Sequence, residues 1–259
     1  KNFHWLVRKT FELTGNECFL EISADDTCKC YLNGKFVLQG PAQSYPDSYP
    51  FLRYDIRPFL QQGKNTLALH VYYQGCLSTR AWQSGDLRQG AWFRMTDEAG
   101  SILWESDHTS KANSCSAWQL TNTTGYDTQF VEKIDGVQIP HDWKEIGFDD
   151  SNWQNAAENP TDDHTMILQT TQPLSFYPQK PKQLEIRGNV IFVDMGTEVT
   201  GSVAFTASAK SRETILVRCG EELNDDGSVR YQMRCNCDYE NEWKLSGRDT
   251  DSVEFYDYM

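Results

Sequence analysis

Apolar side chains recur at every second position over long parts of this sequence, and no other feature constrains its fold as strongly. A repeat of two is the pattern of β-strands with one buried face, whereas an amphipathic helix repeats every 3.6 residues. No helical repeat appears in the sequence. We therefore predict an all-β chain whose strands pair into sandwiches. The clearest alternating runs are 18–24, 67–71, 203–207 and 215–219.

An Asn-Gly pair gives the strongest turn signal within this pattern. Asn33 and Gly34 lie between two strand-like runs, residues 28–32 and 35–38. Both residues of a two-residue hairpin turn adopt positive φ, which Gly and Asn tolerate better than other residues. The sequence therefore predicts an antiparallel hairpin at this pair. The run Asn-Asp-Asp-Gly at residues 224–227 is a second turn signal.

The charge and hydropathy of the chain exclude two classes of partner. The formal net charge is −13, and no basic patch is present that could neutralise phosphates. No apolar run approaches the roughly 20 residues that a membrane-spanning helix needs. We therefore expect neither nucleic acid nor a membrane as a partner.

The eight cysteines are expected to be free thiols. Two pairs, Cys28/Cys30 and Cys235/Cys237, have one residue between them, and on a strand such neighbours share a face, which rarely suits a disulfide. Zinc sites separate paired cysteines by two to four residues, so this spacing does not favour zinc. Buried free thiols behave as small apolar side chains and favour a reducing compartment such as the cytoplasm.

We predict no cofactor for this chain. Calcium has two candidate positions, the neighbouring carboxylates Asp149 and Asp150 and the acidic turn at residues 224–227. Neither supplies the six to eight oxygen ligands that calcium takes. Both are better explained as turns in which an Asp side chain accepts a backbone hydrogen bond.

A long connection, residues 73–92, carries the candidate carbohydrate-binding residues Arg80, Trp82, Asp86 and Arg88. Connections of this length inside a compact domain are often functional. Arginine and aspartate can bind sugar hydroxyls, and an aromatic ring can stack on the apolar face of a sugar. The alternative is a loop folded over the edge of the sandwich, with Trp82 packed inward and Asp86 paired with Arg88. The sequence leaves both interpretations open.

The composition changes between residues 158 and 182, where Pro, Thr, Asp and Gln are frequent. Such a segment is typical of an extended crossing between two domains. We therefore predict a first domain over residues 1–165 and a second domain over residues 166–259, truncated at its C-terminal end.

Two groups of motifs resemble one enzyme family. In the first half, the motifs resemble the sugar-binding jelly-roll domain of α-L-rhamnosidases and, more loosely, that of family 2 β-galactosidases and β-glucuronidases, so they imply a fold but not a substrate. These motifs are Tyr-Leu-Asn-Gly-Lys at 31–35, Tyr-Asp-Ile at 54–56 and Phe-Asp-Asp-Ser-x-Trp at 148–153. In the second half, Asp-Met-Gly at 194–196 and Arg-x-Gly-Glu-Glu-Leu at 218–223 resemble the β-sandwich domain before the catalytic barrel of bacterial α-L-rhamnosidases. Both groups occur in the order that this family shows.

The resemblance implies two antiparallel β-sandwich domains, the first a jelly-roll of the galactose-binding-like type. In glycoside hydrolase family 78, these domains precede an (α/α)6 barrel whose two acidic residues hydrolyse terminal α-L-rhamnosyl linkages with inversion. We expect no catalytic residue in this chain, because the sequence has no long amphipathic helices that could form such a barrel. Glu221 and Glu222 are paired carboxylates, but neighbouring strand residues point to opposite faces and cannot flank one bond. Met259 is expected to be a boundary within a larger protein.

Three roles follow for such a chain. It is expected to be the non-catalytic front of a glycosidase, with rhamnose-containing glycans and its own downstream catalytic domain as partners. A stand-alone carbohydrate-binding module is an alternative, and its ligand residues would converge in a concavity. A purely structural scaffold is the other alternative, and it would expose an apolar patch where a neighbouring domain sits.

Overall fold

The structure is a computed structural model that describes residues 1–45, 47–75, 87–125, 129–159, 163–209 and 211–258. Its regular elements are β-strands and short 3-10 turns, so the all-β prediction is confirmed. No helix in the described ranges is long and apolar enough to cross a membrane. The first strands are β1 (Phe3–Glu12), β2 (Phe19–Ala24), β3 (Thr27–Leu32), β4 (Lys35–Gly40), β5 (Ser48–Asp55), β6 (Lys64–Tyr73), β7 (Ala91–Thr96), β8 (Ile102–Glu105) and β9 (Lys111–Ser114). The later strands are β10 (Lys133–Asp135), β11 (Gln154–Asn155), β12 (Thr165–Leu168), β13 (Gln183–Arg187), β14 (Val190–Asp194), β15 (Ala204–Ala207), β16 (Thr214–Arg218), β17 (Glu240–Lys244) and β18 (Asp251–Glu254). The 3-10 turns are Arg57–Phe59, Gly136–Gln138 and Arg234–Asn236.

Two sheets form a sandwich in the first part of the chain. One sheet has the strand order β11-β9-β1-β6-β3-β4, and the other has the order β12-β5-β2-β7-β8. Every second side chain of these strands points into the space between the sheets. Leu20, Ile22 and Leu69 are fully buried there, in the core of the sandwich. The alternation in the sequence therefore predicted the inner faces of these strands correctly.

The predicted hairpin at the Asn-Gly pair is confirmed. Strands β3 and β4 pair antiparallel, with Leu32 opposite Lys35. The two turn residues adopt the positive φ that the motif requires, 53° at Asn33 and 79° at Gly34.

The six-stranded sheet is buried on its outer face as well. Leu6 of β1 and Ala68 of β6 point away from the sandwich core and join a second apolar cluster with Trp243 of β17 and Phe255 beyond β18. Because this cluster combines residues from both ends of the chain, the last strands pack directly on the first sandwich. The outer face therefore acts as an interface between the two halves of the chain.

The second half of the chain forms smaller sheets, β10-β17-β16, β13-β14 and β15-β18. In the β13-β14 ribbon, Leu184 lies opposite Val193 and Ile186 opposite Ile191, so all four side chains share one face. These aliphatic side chains are between 46% and 74% exposed. A two-stranded ribbon is marginally stable alone, so this face is a natural packing surface.

The predicted domain limits remain a prediction. β12 begins at the predicted limit, Thr165, and runs parallel to β5 at the edge of the five-stranded sheet. β10 runs parallel to β17, so a strand from each predicted domain enters one small sheet. Parallel neighbours of this kind come from distant parts of the chain.

Six of the described cysteines are free thiols, namely Cys18, Cys28, Cys30, Cys115, Cys219 and Cys237. Cys76 lies outside the described residues. Burial raises the pKa of Cys28 to about 12 and that of Cys115 to about 11. These buried thiols therefore stay protonated at neutral pH and pack as small apolar side chains.

Candidate functional site

The long connection is described only in part. Of its candidate residues, Arg80, Trp82 and Asp86 lie outside the described residues. Arg88 is described, and its guanidinium donates to Asp163 Oδ1 at 2.6 Å. Both side chains are on the surface, and this hydrogen bond holds the pKa of Asp163 below its usual value. The predicted carbohydrate-binding role of Arg80, Trp82, Asp86 and Arg88 therefore stays a prediction.

One acidic turn contacts both ends of that connection. Asp25 and Asp26 form the turn between β2 and β3, and each is less than 5% exposed. The Gln74 backbone N–H donates to Asp26 Oδ2 at 2.6 Å, and the Asp25 backbone N–H donates to Gly90 O at 3.0 Å. Gln74 precedes the undescribed residues 76–86 and Gly90 follows them. The connection is therefore fixed at both ends to one acidic turn.

Aromatic groups lie beside this turn. The Tyr49 hydroxyl donates to Asp25 Oδ2 at 3.0 Å, and the Tyr49 ring lies 3.8 Å from the ring of His164. His164 is the neighbour in sequence of Asp163, the partner of Arg88. One end of the sandwich thus combines a buried acidic turn with the exposed Arg88–Asp163 pair, and charged groups such as this pair can bind sugar hydroxyls.

A separate cleft lies on the edge of the five-stranded sheet. It is a cleft of about 320 Å³ with Phe19, Leu52, Arg53 and residues 168–173 along its walls. The Arg53 guanidinium covers the Phe19 ring at 3.9 Å, so that ring face is not available for stacking. The Gln169 amide is bound to Ala42 N and Thr171 O, which fixes one wall. This cleft has fewer acidic groups than the turn at Asp25 and Asp26.

Comparison with known proteins identifies the family. Residues 17–177 match the family model described as the alpha-L-rhamnosidase N-terminal domain. Residues 184–256 match the model of the bacterial alpha-L-rhamnosidase concanavalin-like domain. The chain belongs to the α-L-rhamnosidase N-terminal domain family.

Individual relatives agree with this assignment. An α-L-rhamnosidase of Streptomyces avermitilis is 23% identical over 216 residues, which are 78% of this chain and 20% of that protein. The solved α-L-rhamnosidase of Dictyoglumus thermophilum superposes with a TM-score of 0.74 at 18% identity, over 99% of this chain and 29% of that one. The Streptomyces avermitilis structure complexed with L-rhamnose gives 0.72 at 19% identity, over 99% of this chain and 26% of that one. The chain thus spans about a fifth to a third of the length of these rhamnosidases.

Within this rhamnosidase-family chain, the Phe-Asp-Asp-Ser-x-Trp motif is structural. Asp149 Oδ1 accepts the backbone N–H of Ser151 at 3.0 Å, which is the predicted Asx-turn. Phe148 and Trp153 pack 5.5 Å apart in the outer apolar cluster. Asp150 forms an ion pair with Arg8, a partner that the sequence did not reveal.

The other acidic motifs of this chain are also turns or surface pairs. Asp226 accepts the Ser228 backbone N–H at 2.9 Å within the predicted turn at residues 224–227. Glu222 pairs with Arg230 at the surface. No group of three or more His, Cys, Asp or Glu among the described residues is placed to hold a metal ion. The prediction that the chain works without a cofactor stays untested.

Sequence reasoning missed the Asp25-Asp26 turn. Two neighbouring acids between strand runs are an ordinary turn signal, and nothing in the local sequence places them against Gln74 and Gly90. The position of the pair at the end of a predicted strand could have indicated this turn, because binding residues are often found in the loops at strand ends.

Proposed function

We propose that this chain is the non-catalytic N-terminal portion of a glycoside hydrolase that removes terminal α-L-rhamnosyl residues. Membership of the rhamnosidase N-terminal domain family supports this proposal. The described residues contain strands and 3-10 turns only, so they include no part of a helical catalytic barrel. Inverting hydrolysis needs two carboxyl groups on opposite sides of one bond. Glu221 and Glu222 are neighbours in sequence, so we do not assign them this role.

Within this role, the first sandwich recognises rhamnose-containing glycans. The observation that carries this claim is the attachment of both ends of the long connection to Asp25 and Asp26. Binding residues are often carried on connections whose ends are attached to a rigid scaffold. Rhamnose is the first sugar to test because the Streptomyces avermitilis relative was solved with it.

A scaffold role has its own support. The exposed aliphatic face of the β13-β14 ribbon is the kind of apolar patch that a neighbouring domain covers. We propose the downstream catalytic domain of the same protein as that neighbour. This role does not exclude sugar binding, because the ribbon and the Asp25-Asp26 turn lie in different sheets.

Isothermal titration of the 259-residue chain with L-rhamnose, with and without calcium, tests sugar recognition. We expect saturable heat that Arg88→Ala, Trp82→Ala and Asp86→Ala each weaken. Arg187→Ala is the matched control, because Arg187 forms a similar exposed ion pair with Glu185 within β13. The absence of heat at millimolar sugar would contradict sugar recognition and would exclude a stand-alone carbohydrate-binding module. The scaffold role would then remain.

A further inference from the structure

Two buried histidines form a direct contact on the outer face of the six-stranded sheet. His4 of β1 and His70 of β6 are both less than 7% exposed. His4 Nδ1 lies 2.9 Å from His70 Nε2, so one ring donates its N–H to the bare nitrogen of the other. This arrangement needs both imidazoles to be neutral or to share a single added proton.

Aromatic rings enclose the pair. His4 lies between the rings of Tyr72 and Trp118, at 4.5 Å and 4.6 Å. Tyr256, from the segment after β18, contacts both imidazoles edge-on at 5.4 Å and 4.6 Å. The Tyr256 hydroxyl donates to His70 O at 3.3 Å. The C-terminal segment therefore closes the space around the histidines.

Ionisable groups hold the same segment on either side of Tyr256. Lys29 of β3 donates to Glu254 Oε1 at 2.8 Å and to Phe255 O at 3.0 Å. Glu132 accepts the backbone N–H groups of Tyr256 and Asp257 at 2.8 Å and 2.9 Å. Other ionisable groups near the pair are Tyr72, Lys144 and Asp257.

We propose that the His4–His70 contact is an acid-sensitive latch, which holds residues 253–258 on the first sandwich and releases them when an imidazole takes up a proton from solvent. The segment carries Val253 and Phe255 into the outer apolar cluster. Its release opens the interface between the two halves of the chain.

The surroundings of the pair disfavour a buried, protonated imidazole, and they therefore favour release of the segment when a proton is taken up. Burial and the Lys29 cation lower the pKa of His4 well below its usual value. Burial, His4, Lys29 and Lys144 do the same to the pKa of His70. The rings of Tyr72 and Trp118 attract a cation, but that attraction is smaller than the cost of desolvating a buried charge beside Lys29. Protonation is therefore easier once the segment has moved and water reaches the rings.

Glu132 does not drive the same transition. Its pKa is raised to about 7 by burial, although the two backbone amides and Trp118 Nε1 oppose this shift. The folded state thus favours the protonated carboxyl, and acid acts on Glu132 in the stabilising direction. The histidines are the groups whose titration in acid favours opening.

The opening is local because the core of the sandwich lies on the other face of the sheet. That core consists of apolar side chains and thiols and contains no histidine. Loss of the outer cluster leaves it closed, as in subglobal opening.

Amide hydrogen exchange of the 259-residue chain as a function of pH tests the latch. We expect the amides of Tyr256 and Asp257 to exchange at least about tenfold faster near pH 5 than near pH 7, after correction for the intrinsic rate, while Ile22 and Leu69 remain protected. The double variant His4→Asn/His70→Gln places amide groups where the paired nitrogens lie and cannot titrate. It should lose this acid dependence.

His108→Gln is the matched control, since His108 is exposed and bonded to Glu158, and it should behave like the wild type. If the double variant does not fold, His70→Gln alone should reduce the slope of log protection against pH by about one, because it removes one of the two groups that take up a proton on opening. Unchanged acid dependence in the histidine variants would overturn the proposal. So would equal opening of Ile22 and Leu69, or no acid dependence in the wild type.

Discussion

Arg8 Nε lies 2.9 Å from Asp150 Oδ2, although 142 residues separate them in the sequence. Arg8 is only 1% exposed, and its guanidinium also donates to the backbone carbonyls of Trp143 and Glu145. Its cation lies 5.1 Å from the centre of the Phe148 ring. One buried arginine of β1 therefore fixes the loop that carries the Phe-Asp-Asp-Ser-x-Trp motif.

Removal of the Asp150 carboxylate should destabilise the chain. Asp150→Ala leaves the buried Arg8 cation without its counter-charge, and we expect a loss of about 2 kcal/mol in the free energy of unfolding. Urea unfolding measures it. The control is Glu222→Ala, which breaks the exposed pair with Arg230 and should cost less than about 1 kcal/mol. Equal losses in the two variants would show that the buried pair has no special role.

The outer apolar cluster should contribute to the free energy of unfolding as much as a buried hydrophobic core does. Phe255 is fully buried against Trp243, with ring centroids 6.0 Å apart, and Phe255→Ala should cost about 3–5 kcal/mol. Leu184→Ala, on the exposed ribbon, should change stability by less than about 0.5 kcal/mol. Both values come from chemical denaturation. A small effect of Phe255→Ala would mean that the last strands do not pack on the first sandwich.

The free energy of unfolding should depend on pH through two kinds of group, the histidines and Glu132, whose effects change with pH in opposite directions. The pKa values of His4 and His70 are lowered by folding, so their contribution is present above about 6.5 and is lost as the pH falls. The pKa of Glu132 is raised to about 7, so its contribution is present below 4.5 and is lost as the pH rises through about 7. Two histidines outweigh one carboxyl, and stability should therefore rise with pH between about 4.5 and 6.5.

The variant Glu132→Gln separates these contributions. It removes the group that opposes the histidines, so the dependence of Tm on pH below about 6.5 should become steeper than in the wild type. Thermal unfolding across this range gives the slope, which is informative even if the variant has a lower Tm. A shallower slope would contradict the assignment of a raised pKa to Glu132.

Thiol reactivity should follow burial. Cys235 is exposed and should react readily with iodoacetamide in the native state. Cys28, with a pKa of about 12, and Cys115, with a pKa of about 11, should react only after denaturation. Peptide mass spectrometry after timed labelling gives the order. Rapid native labelling of Cys28 would contradict the packing of β3 in the core.

The inner faces of the strands could be predicted from sequence because they follow one local rule. Leu67, Leu69 and Val71 alternate with their neighbours, and all of them point into the sandwich. The Asn33-Gly34 turn was also predictable, since positive φ at both residues is a local property.

The outer face could not be predicted in the same way. Arg8, Lys29 and His70 alternate with core residues, a pattern typical of a solvent-exposed face. Their partners, Asp150, Glu254 and Tyr256, lie far away in the sequence, so that no local pattern shows that these basic residues are buried. The parallel pairing of β10 with β17 has the same long-range origin.

The candidate binding site was predicted only in outline. The long connection drew attention through its length and its Arg, Trp and Asp residues. Its attachment to Asp25 and Asp26 depends on contacts of the β2-β3 turn with the end of β6 and the start of β7, which only the fold defines.

The most direct test of the account is to map where L-rhamnose binds by two-dimensional NMR of the isotope-labelled chain. The account predicts saturable shifts of the backbone amides of Asp25, Asp26, Gln74 and Arg88 at one end of the first sandwich. Amides of residues 168–172, which line the separate cleft, should not shift. Shifts confined to that cleft, or no shifts at millimolar sugar, would contradict carbohydrate recognition at the Asp25-Asp26 turn.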